Sequence, residues 1–357
     1  MQITIEPLAP SDLKPFPSSL AFGKYFTNRM FTQTWTLDKG WQDAKIGPYR
    51  PFTLDPSTAV FHYAQEIFEG TKAYRRPDGN INLFRPWENI KRFNRSATRM
   101  AMQQVDPEEH LEAIVQLVSL EHEWVPNQNG ASLYIRPTLI ATEAALGVHA
   151  SHSFLHFIIL SPVGPYFATG FNPVPVFISD EYVRATRGGV GDAKTGGNYA
   201  ASLYVSEQVA KLGYQQVLWL DAAERRYVEE VGSMNIAFVY NNKRIVTPAL
   251  SGSILPGITR DSVLTLAPDL GYPIEEGKLE INDILRDLAS GEITEAFGLG
   301  TAAVVAPVSK FGFKDKEYIV GGGESGPVAK HLFQTLTDIQ YGRVADPYGW
   351  THTIKVK

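Results

Sequence analysis

The 357-residue chain contains no cysteine. Disulfides, thiolate nucleophiles and zinc–thiolate sites are thereby excluded. No apolar run reaches the roughly 20 residues that span a bilayer, so no membrane partner is expected. Positive charge is not in surplus: 33 Lys and Arg stand against 38 Asp and Glu, a formal net charge of −5. That balance leaves no electrostatic footprint for nucleic acid. The N-terminal stretch MQITIEPLAPSDLKP has no basic region followed by an apolar run. No secretory signal is read there, and a cytoplasmic location is expected. No internal repeat or low-complexity segment is found, and no metal site is expected.

What is present is a chain long enough for two domains with substantial cores. Phe22 to Thr36 reads as a strand. Ser57 to Phe68 reads as a helix with Ser57 or Thr58 as N-cap. Gly70 to Arg85 is a hairpin about Pro77-Asp78-Gly79-Asn80. Glu88 to Met102 repeats Ile90, Phe93 and Ala97 at helical spacing, with Lys91, Arg92, Arg95 and Arg99 on its polar face. A second helix is expected from Pro107 to Trp124, with Leu111, Ile114, Leu117 and Val118 inward. Strands are expected at Ala131–Thr142 and Ser153–Pro162. Residues 162–175, PVGPYFATGFNPVP, hold four prolines and two glycines, the chemistry of a linker. Domains are therefore expected at 1–161 and 176–357. In the second, a helix is expected at Asn198–Leu212, and strands at Val176–Ser179, Gln216–Asp221, Tyr227–Tyr240 and Arg244–Val246. A helix from Gly257 should end before Pro268. Asn282 should cap another, strands should flank Gly298-Leu299-Gly300-Thr301, and Pro327–Tyr341 should close the chain as a helix. The fold class expected is α+β, each domain a sheet packed with helices.

One stretch stands apart: Gly188 to Ala201, GGVGDAKTGGNYAA, in which glycines surround a single lysine, Lys194. Glycine serves where a backbone takes positive φ or passes close to a ligand. A lysine framed this way suits a phosphate-binding P-loop or a Schiff base with the aldehyde of pyridoxal phosphate. The P-loop pattern fails at Ala193, Asp192 would put negative charge in the cradle, and Gly196 and Gly197 would break the required helix start. A Gly-rich surface turn with an ordinary lysine is the plain alternative.

Pyridoxal phosphate needs more than a lysine. For its phosphate, Leu255-Pro256-Gly257-Ile258-Thr259-Arg260 places a turn at a helix start, where backbone N–H groups favour an anion. Thr259 adds a hydroxyl, Gly300-Thr301-Ala302 a second turn, and Arg92 a countercharge. For the pyridine nitrogen, a desolvated carboxylate is needed. Glu229 and Glu230 are adjacent on an expected strand and leave by opposite faces. Each feature alone has an ordinary structural reading: a turn, or a solvated strand end.

Together these residues resemble a family. GDAKTGGNYA, EEVGSMN, SILPGITR and FGLGTAA, in this order, are similar to the branched-chain amino-acid aminotransferases, of fold type IV (D-amino-acid aminotransferase-like) among pyridoxal-phosphate enzymes. FGKYFTNRM, FHYAQEIFEGTKAY, LFRPWENIKRFNRSATRM, LYIRP and VGPYF match in the first half, so the likeness covers roughly residues 20–345. It implies that Lys194 is the Schiff-base lysine and catalytic proton carrier. It places Glu230, not Glu229, at the pyridine nitrogen, and Tyr199 near the ring oxygen. Arg92, Gly257, Ile258, Thr259 and Thr301 fall on the phosphate site, and Leu255 against the ring. Ser233 stands where a threonine is common. Phe26, Tyr63, Phe68, Tyr134, Arg136 and Tyr166 fall on the substrate pocket, and the backbone N–H groups of Thr301 and Ala302 on the substrate α-carboxylate.

The implied reaction moves an amino group between leucine, isoleucine or valine and 2-oxoglutarate, giving 2-oxo acids and glutamate. A homodimer is also implied, with Val148 near the partner's active site. Arg136 and Lys72 bear on the second substrate, whose side chain is a carboxylate. Some animal relatives carry a Cys-x-x-Cys where this chain has Ala303 and Ala306, so a thiol switch is absent. A D-amino-acid aminotransferase or aminodeoxychorismate lyase on the same fold is the alternative reading. A nucleotide-binding P-loop protein is a further one.

Overall fold

The computed structural model describes residues 2–164 and 171–356. They fall into two compact units: Met1–Tyr166 with Ala193–Gly196 and Asp338–Lys357, and Phe167–Asp192 with Gly197–Thr337. A single cut at 162–175 would place Lys194 and the C-terminus in the second half, whereas the chain places both with the first. Hydrogen bonds give the reason. The C-terminal strand Thr351–Ile354 pairs with Ile81–Phe84, and the backbone of Lys194 bonds to Phe68 and Ser96.

The first unit is built on strands β1 (Thr4–Ile5), β2 (Arg29–Thr36), β3 (Gly40–Pro48), β4 (Glu66–Phe68), β5 (Thr71–Arg75), β6 (Ile81–Phe84), β7 (Ser132–Ala141) and β8 (Ser153–Val163). Their order is β1-β3-β2-β8-β7-β5-β6, then the C-terminal strand, with β4 added to β7. The β5–β6 hairpin turns where its sequence demands: Gly79 takes φ 86° and the Asp78 carboxylate accepts the Asn80 N–H at 2.9 Å.

Helices α1 (Ala59–Tyr63), α2 (Pro86–Arg99) and α3 (Pro107–Leu120) belong to this unit. Asp106 caps α3 by accepting from Glu108 and Glu109 N–H at 3.0 and 2.9 Å, a cap worth about 1 kcal/mol. Ile90, Leu111, Ile114 and Leu117 pack with Phe31, Ile46 and Leu133, while Phe93 and Ala97 pack with Ile67, Leu139 and Phe154. Each of the leucine, isoleucine and phenylalanine side chains contributes about 1.5–3 kcal/mol by leaving water.

The helix expected over Ser57–Phe68 is one short turn followed by a strand. Ala64, at φ 49°, ends α1. β4 then pairs with β7, and that tertiary pairing overrides local helix preference.

The second unit contains β9 (Val174–Ser179), β10 (Gln216–Leu220), β11 (Val228–Val231), β12 (Met234–Tyr240), β13 (Ile245–Pro248), β14 (Ile274–Gly277), β15 (Ile293–Gly300), β16 (Val304–Phe313) and β17 (Lys316–Ile319). Its order is β11-β10-β9-β16-β15-β12-β13-β14. Because β11 also pairs with β12, the path closes on itself. Closure leaves no unpaired edge among the strands of that ring. The single strand expected over Tyr227–Tyr240 is a hairpin, since Gly232 takes φ 57° and Glu230 comes opposite Asn235.

Helices α4 (Gly196–Lys211), α5 (Ile258–Asp269), α6 (Ile281–Ser290) and α7 (Pro327–Gln340) complete the chain. Gly196 and Gly197, expected to break a helix, begin α4, where the first N–H groups need no intrahelical partner. Pro268 lies inside the last turn of α5 rather than beyond it. Glu280 occupies the N-cap position of α6 without a side-chain cap bond, and Asn282 is already helical. Among the described residues no helix is long and apolar enough to cross a membrane.

Candidate active site

Lys194 is held by its backbone on both sides. Its N–H donates to Ser96 Oγ at 2.9 Å, and its carbonyl accepts from Phe68 N–H at 3.0 Å. The next residue continues the anchorage, with Thr195 Oγ1 donating to the Glu66 carbonyl at 2.7 Å and Gly196 N–H donating to the Glu66 carboxylate. The half-buried side chain sends its amine to 5.1 Å from the centre of the Phe68 ring. The carboxylate at the first N–H of α4 also answers the P-loop reading: Glu66 takes the position a phosphate would need.

The residues behind this lysine form a stripe on α2. Asn89, Arg92 and Ser96 follow one another by three and four positions, so they share a helix face, and all three are buried. Arg92 was expected on the polar face; it is 3% exposed. Its guanidinium grips Glu69 with two parallel bonds, Nε to Oε1 at 2.6 Å and Nη2 to Oε2 at 2.9 Å. Asn89 Nδ2 and Gly70 N–H add bonds to Glu69 at 2.8 and 3.0 Å. Burial by itself would push the Glu69 carboxyl up. The charge and hydrogen bonds of Arg92, the charge of Lys194 and the Asn89 bond outweigh it and hold the carboxyl below its ordinary value. Glu66, Glu69, Asn89 and Ser96 were not singled out from the sequence. The signal was there, in a polar stripe at i, i+3, i+7 beside an apolar one.

An aromatic set gathers in the same unit. Arg136 lies over the Phe68 ring at 4.7 Å and donates to Tyr134 Oη at 3.0 Å, and Phe22 meets Tyr134 edge-on at 5.0 Å. Gly70 is required here, because a Cβ would sit 2.0 Å from Tyr134 Oη. Lys72, opposite Tyr134 in the β5–β7 register, is buried, and burial lowers its amine to about 8. Tyr63 donates to the Leu146 carbonyl. Phe26 stacks on Tyr49 at 5.2 Å, not on the Phe68–Tyr134 set. Tyr166 lies outside the described residues.

In the second unit Glu229 and Glu230 are both buried, so neither is at a solvated strand end. Burial raises the Glu229 carboxyl, against hydrogen bonds from Ser253 and Ser251. Glu230 faces Arg184 Nε at 2.5 Å and accepts from Asn235 Nδ2 at 3.2 Å. Asn235 also donates to the Leu255 carbonyl at 3.0 Å, linking that carboxylate to the turn entering α5. The turn must pass close: a Cβ on Gly257 would lie 1.9 Å from Asn235 Oδ1. Gly257 is the N-cap of α5 and offers no side-chain bond. Ile258 and Thr259 form the buried first turn.

Thr301 and Ala302, half-buried, lie in the turn joining β15 to β16. Val304 beside them takes φ 63°, a costly conformation for a β-branched residue and of a kind that clusters at functional sites. Tyr199 is half-buried in α4, and Ser233 is exposed in the β11–β12 turn. Arg184 and Asn235 are the residues sequence reasoning missed here. Asn235 lies inside the quoted EEVGSMN run, while Arg184 has no periodic signal.

Comparison with known proteins adds to this geometry. The amino-transferase class IV family matches residues 66–311. Branched-chain-amino-acid transaminase 1 of Bacillus subtilis is 55% identical over 339 residues, 95% of each chain. A probable branched-chain-amino-acid aminotransferase of Streptomyces coelicolor is 50% identical over 349 residues, 98% of this chain and 96% of its own. The solved structure of the Escherichia coli branched-chain amino acid aminotransferase superposes with a TM-score of 0.75 at 26% identity, covering 90% of this chain and 99% of that one. These likenesses favour neither the D-amino-acid aminotransferase nor the lyase reading. The chain belongs to the class IV aminotransferases and, within them, to the branched-chain amino-acid aminotransferases.

Proposed function

We propose that Lys194 is the residue that binds pyridoxal phosphate and carries the proton during transamination. The protein is a pyridoxal-phosphate-dependent transaminase that moves the amino group between leucine, isoleucine or valine and 2-oxoglutarate. When bound, the cofactor supplies an electron sink that acidifies the substrate Cα–H. With the cofactor bound, Lys194 Nζ would take up and return the substrate Cα proton, as a positioned general base and acid.

The residues present suit the cofactor in kind. Glu230, buried beside Arg184, would keep a proton on the ring nitrogen, because a nearby opposite charge favours the protonated form. Tyr199 would offer its hydroxyl to the ring oxygen, and Leu255 would pack on the ring. The N-terminus of α5 at Gly257, Ile258 and Thr259, the hydroxyl of Thr301 and the charge of Arg92 serve the phosphate. Ser233 is exposed, and its part is the weakest of the set.

Phe68 and Tyr134 suit an aliphatic side chain, and Arg136 is the charge among them for the second carboxylate of 2-oxoglutarate. Tyr63, Phe26 and Tyr166 belong to the same reading of the pocket. The backbone N–H groups of Thr301 and Ala302 orient the α-carboxylate. A homodimer accounts for the exposure of Leu146 and Val148, 63% and 86%, and sizing chromatography tests it. A cytoplasmic location completes the reading, tested by fractionation.

The observation that carries the proposal is the double anchorage of the Lys194 backbone, which aims one amine and restrains its freedom. Borohydride reduction followed by peptide mapping tests it. The label is expected on Lys194, with Lys194→Ala devoid of turnover. A label on another lysine would overturn the assignment.

A further inference from the structure

The connection from β7 to β8 brings three donors together where no metal site was expected. Glu143, His149 and His152 place their carboxylate and imidazole ligand atoms within 4.8 Å of one another. Glu143 Oε1 lies 3.8 Å from His149 Nε2, and Glu143 Oε2 lies 3.5 Å from His152 Nδ1. Both separations exceed the 2.7–3.2 Å of a good hydrogen bond. They are close to the roughly 3.3 Å between neighbouring ligands of a tetrahedral zinc ion with bonds of about 2.0–2.1 Å. Each nitrogen faces a different oxygen of the one carboxylate, so small side-chain rotations would bring the three donors onto a single ion.

The set is also oriented. His149 Nδ1 lies 3.0 Å from the Ala150 carbonyl. A proton held there fixes the tautomer and turns the Nε2 lone pair toward Glu143, the outer-shell arrangement common to metal-binding histidines. The Glu143 backbone is anchored, its carbonyl accepting from Ala59 N–H at 2.9 Å. His152 N–H donates to Glu143 Oε2 at 2.6 Å. In the single chain all three side chains reach solvent, giving an ion an entry path and room for a water to complete its coordination.

We propose that Glu143, His149 and His152 form a binding site for a divalent first-row transition metal, zinc by choice of donors. Two imidazoles and one carboxylate with an open position suit zinc better than calcium or magnesium, which prefer all-oxygen sets. The site clips the loop between its two histidines and their carboxylate. That loop includes Leu146, whose carbonyl accepts from Tyr63. The role is a structural brace for the loop, which meets the proposed pocket through the Tyr63–Leu146 bond.

Calorimetric titration of the holoenzyme with zinc chloride tests the site, with the visible difference spectrum of added cobalt chloride reporting geometry. One zinc per chain and tetrahedral cobalt absorption are expected, with a melting temperature that rises with zinc. His149→Ala should bind zinc at least about tenfold more weakly, the loss that even an outer-shell partner brings. The double variant His149→Ala/His152→Ala should show neither binding at one equivalent nor a melting shift. Its zinc-free melting temperature, matched to the wild type, shows that the loss is of the site and not of the fold. Wild-type binding weaker than about 1 mM, or undiminished binding by a folded double variant, would overturn the proposal.

Discussion

Glu69 and Glu230 are both buried carboxylates paired with an arginine, and the two pairs are built differently. Glu69 receives a forked guanidinium, an amide side chain and a backbone N–H. Its arginine rides on a regular helix whose face already points inward. Glu230 meets Arg184 through Nε at 2.5 Å and Asn235 at 3.2 Å. Arg184 lies outside any helix or strand, with Nη2 donating to the Gly191 carbonyl at 3.1 Å and to that of Ser253. A carboxylate with both oxygens satisfied by four donors is a fixed anion. It braces the wall behind Lys194 and is unsuited to proton transfer. Glu69 is thereby a supporting carboxylate, whereas Glu230 is the one proposed to act on the cofactor.

Removing the arginine of the first pair should have the largest effect. Arg92→Ala leaves Glu69 charged, buried and without its fork, a loss of about 3–5 kcal/mol. Urea unfolding should report a midpoint far below wild type. The double variant Arg92→Ala/Glu69→Gln should recover part of that loss, because the stranded charge is gone. A single variant as stable as wild type would mean that the pair contributes little net stability. Cofactor loss with an unchanged unfolding midpoint would keep the proposed part of Arg92 at the phosphate and remove its part in the scaffold.

Acid should weaken the first unit next. His110 and His156 are buried and stacked at 4.9 Å, beside Phe93. Burial lowers His110 to about 4, with the Glu69 charge acting the other way; burial and then His110 lower His156. The unfolded chain binds protons near pH 6.5, where the folded one does not. Stability is therefore complete above pH 6.5 and falls as pH drops toward 4. For His110 alone the loss between pH 7 and pH 5 is about 2 kcal/mol. Unfolding midpoints at those two pH values should differ less in His110→Gln than in wild type. Equal differences would remove His110 as the source.

These pairs also mark how far the sequence was legible. Features set by local chemistry could be read: the glycine-framed Lys194, the Asp78-Gly79 turn, the apolar faces of α2 and α3, and the glycine entry to α5. Features set by distant pairing could not. The segment Glu66–Phe68 became a strand because β7 lies beside it, and Tyr227–Tyr240 folded back at Gly232. Strand β3 was missed because Gly40–Pro48 mixes glycine, charge and tryptophan without clean alternation. Arg92 was noticed for its charge, yet assigned to the outer face. Its burial depends on Glu69, 23 positions away. Arg184 depends on a contact 46 positions along the chain from 184 to 230, with no local pattern to announce it.

The smallest effect expected on the chemical step is the one that sharpens the comparison most. Glu230→Gln keeps the volume and removes the charge. Asn235 can still bond an amide oxygen and Arg184 keeps the Gly191 and Ser253 carbonyls, but the buried Arg184 charge loses its partner, so the unfolding midpoint should also fall. The ring nitrogen would lose its anionic partner, and with it part of the stabilisation of negative charge developing at Cα. A loss of about 1.4 kcal/mol in the transition state is tenfold in rate. Glu229→Gln should leave the rate alone, because that carboxyl is engaged with Ser251 and Ser253. Single-turnover kinetics with leucine deuterated at Cα separate the two residues. The Glu230→Gln enzyme should show slower proton removal with a full isotope effect at saturating cofactor. Wild-type rates there, or a larger defect in Glu229→Gln, would make Glu230 a scaffold carboxylate like Glu69 and erase the distinction between the two pairs.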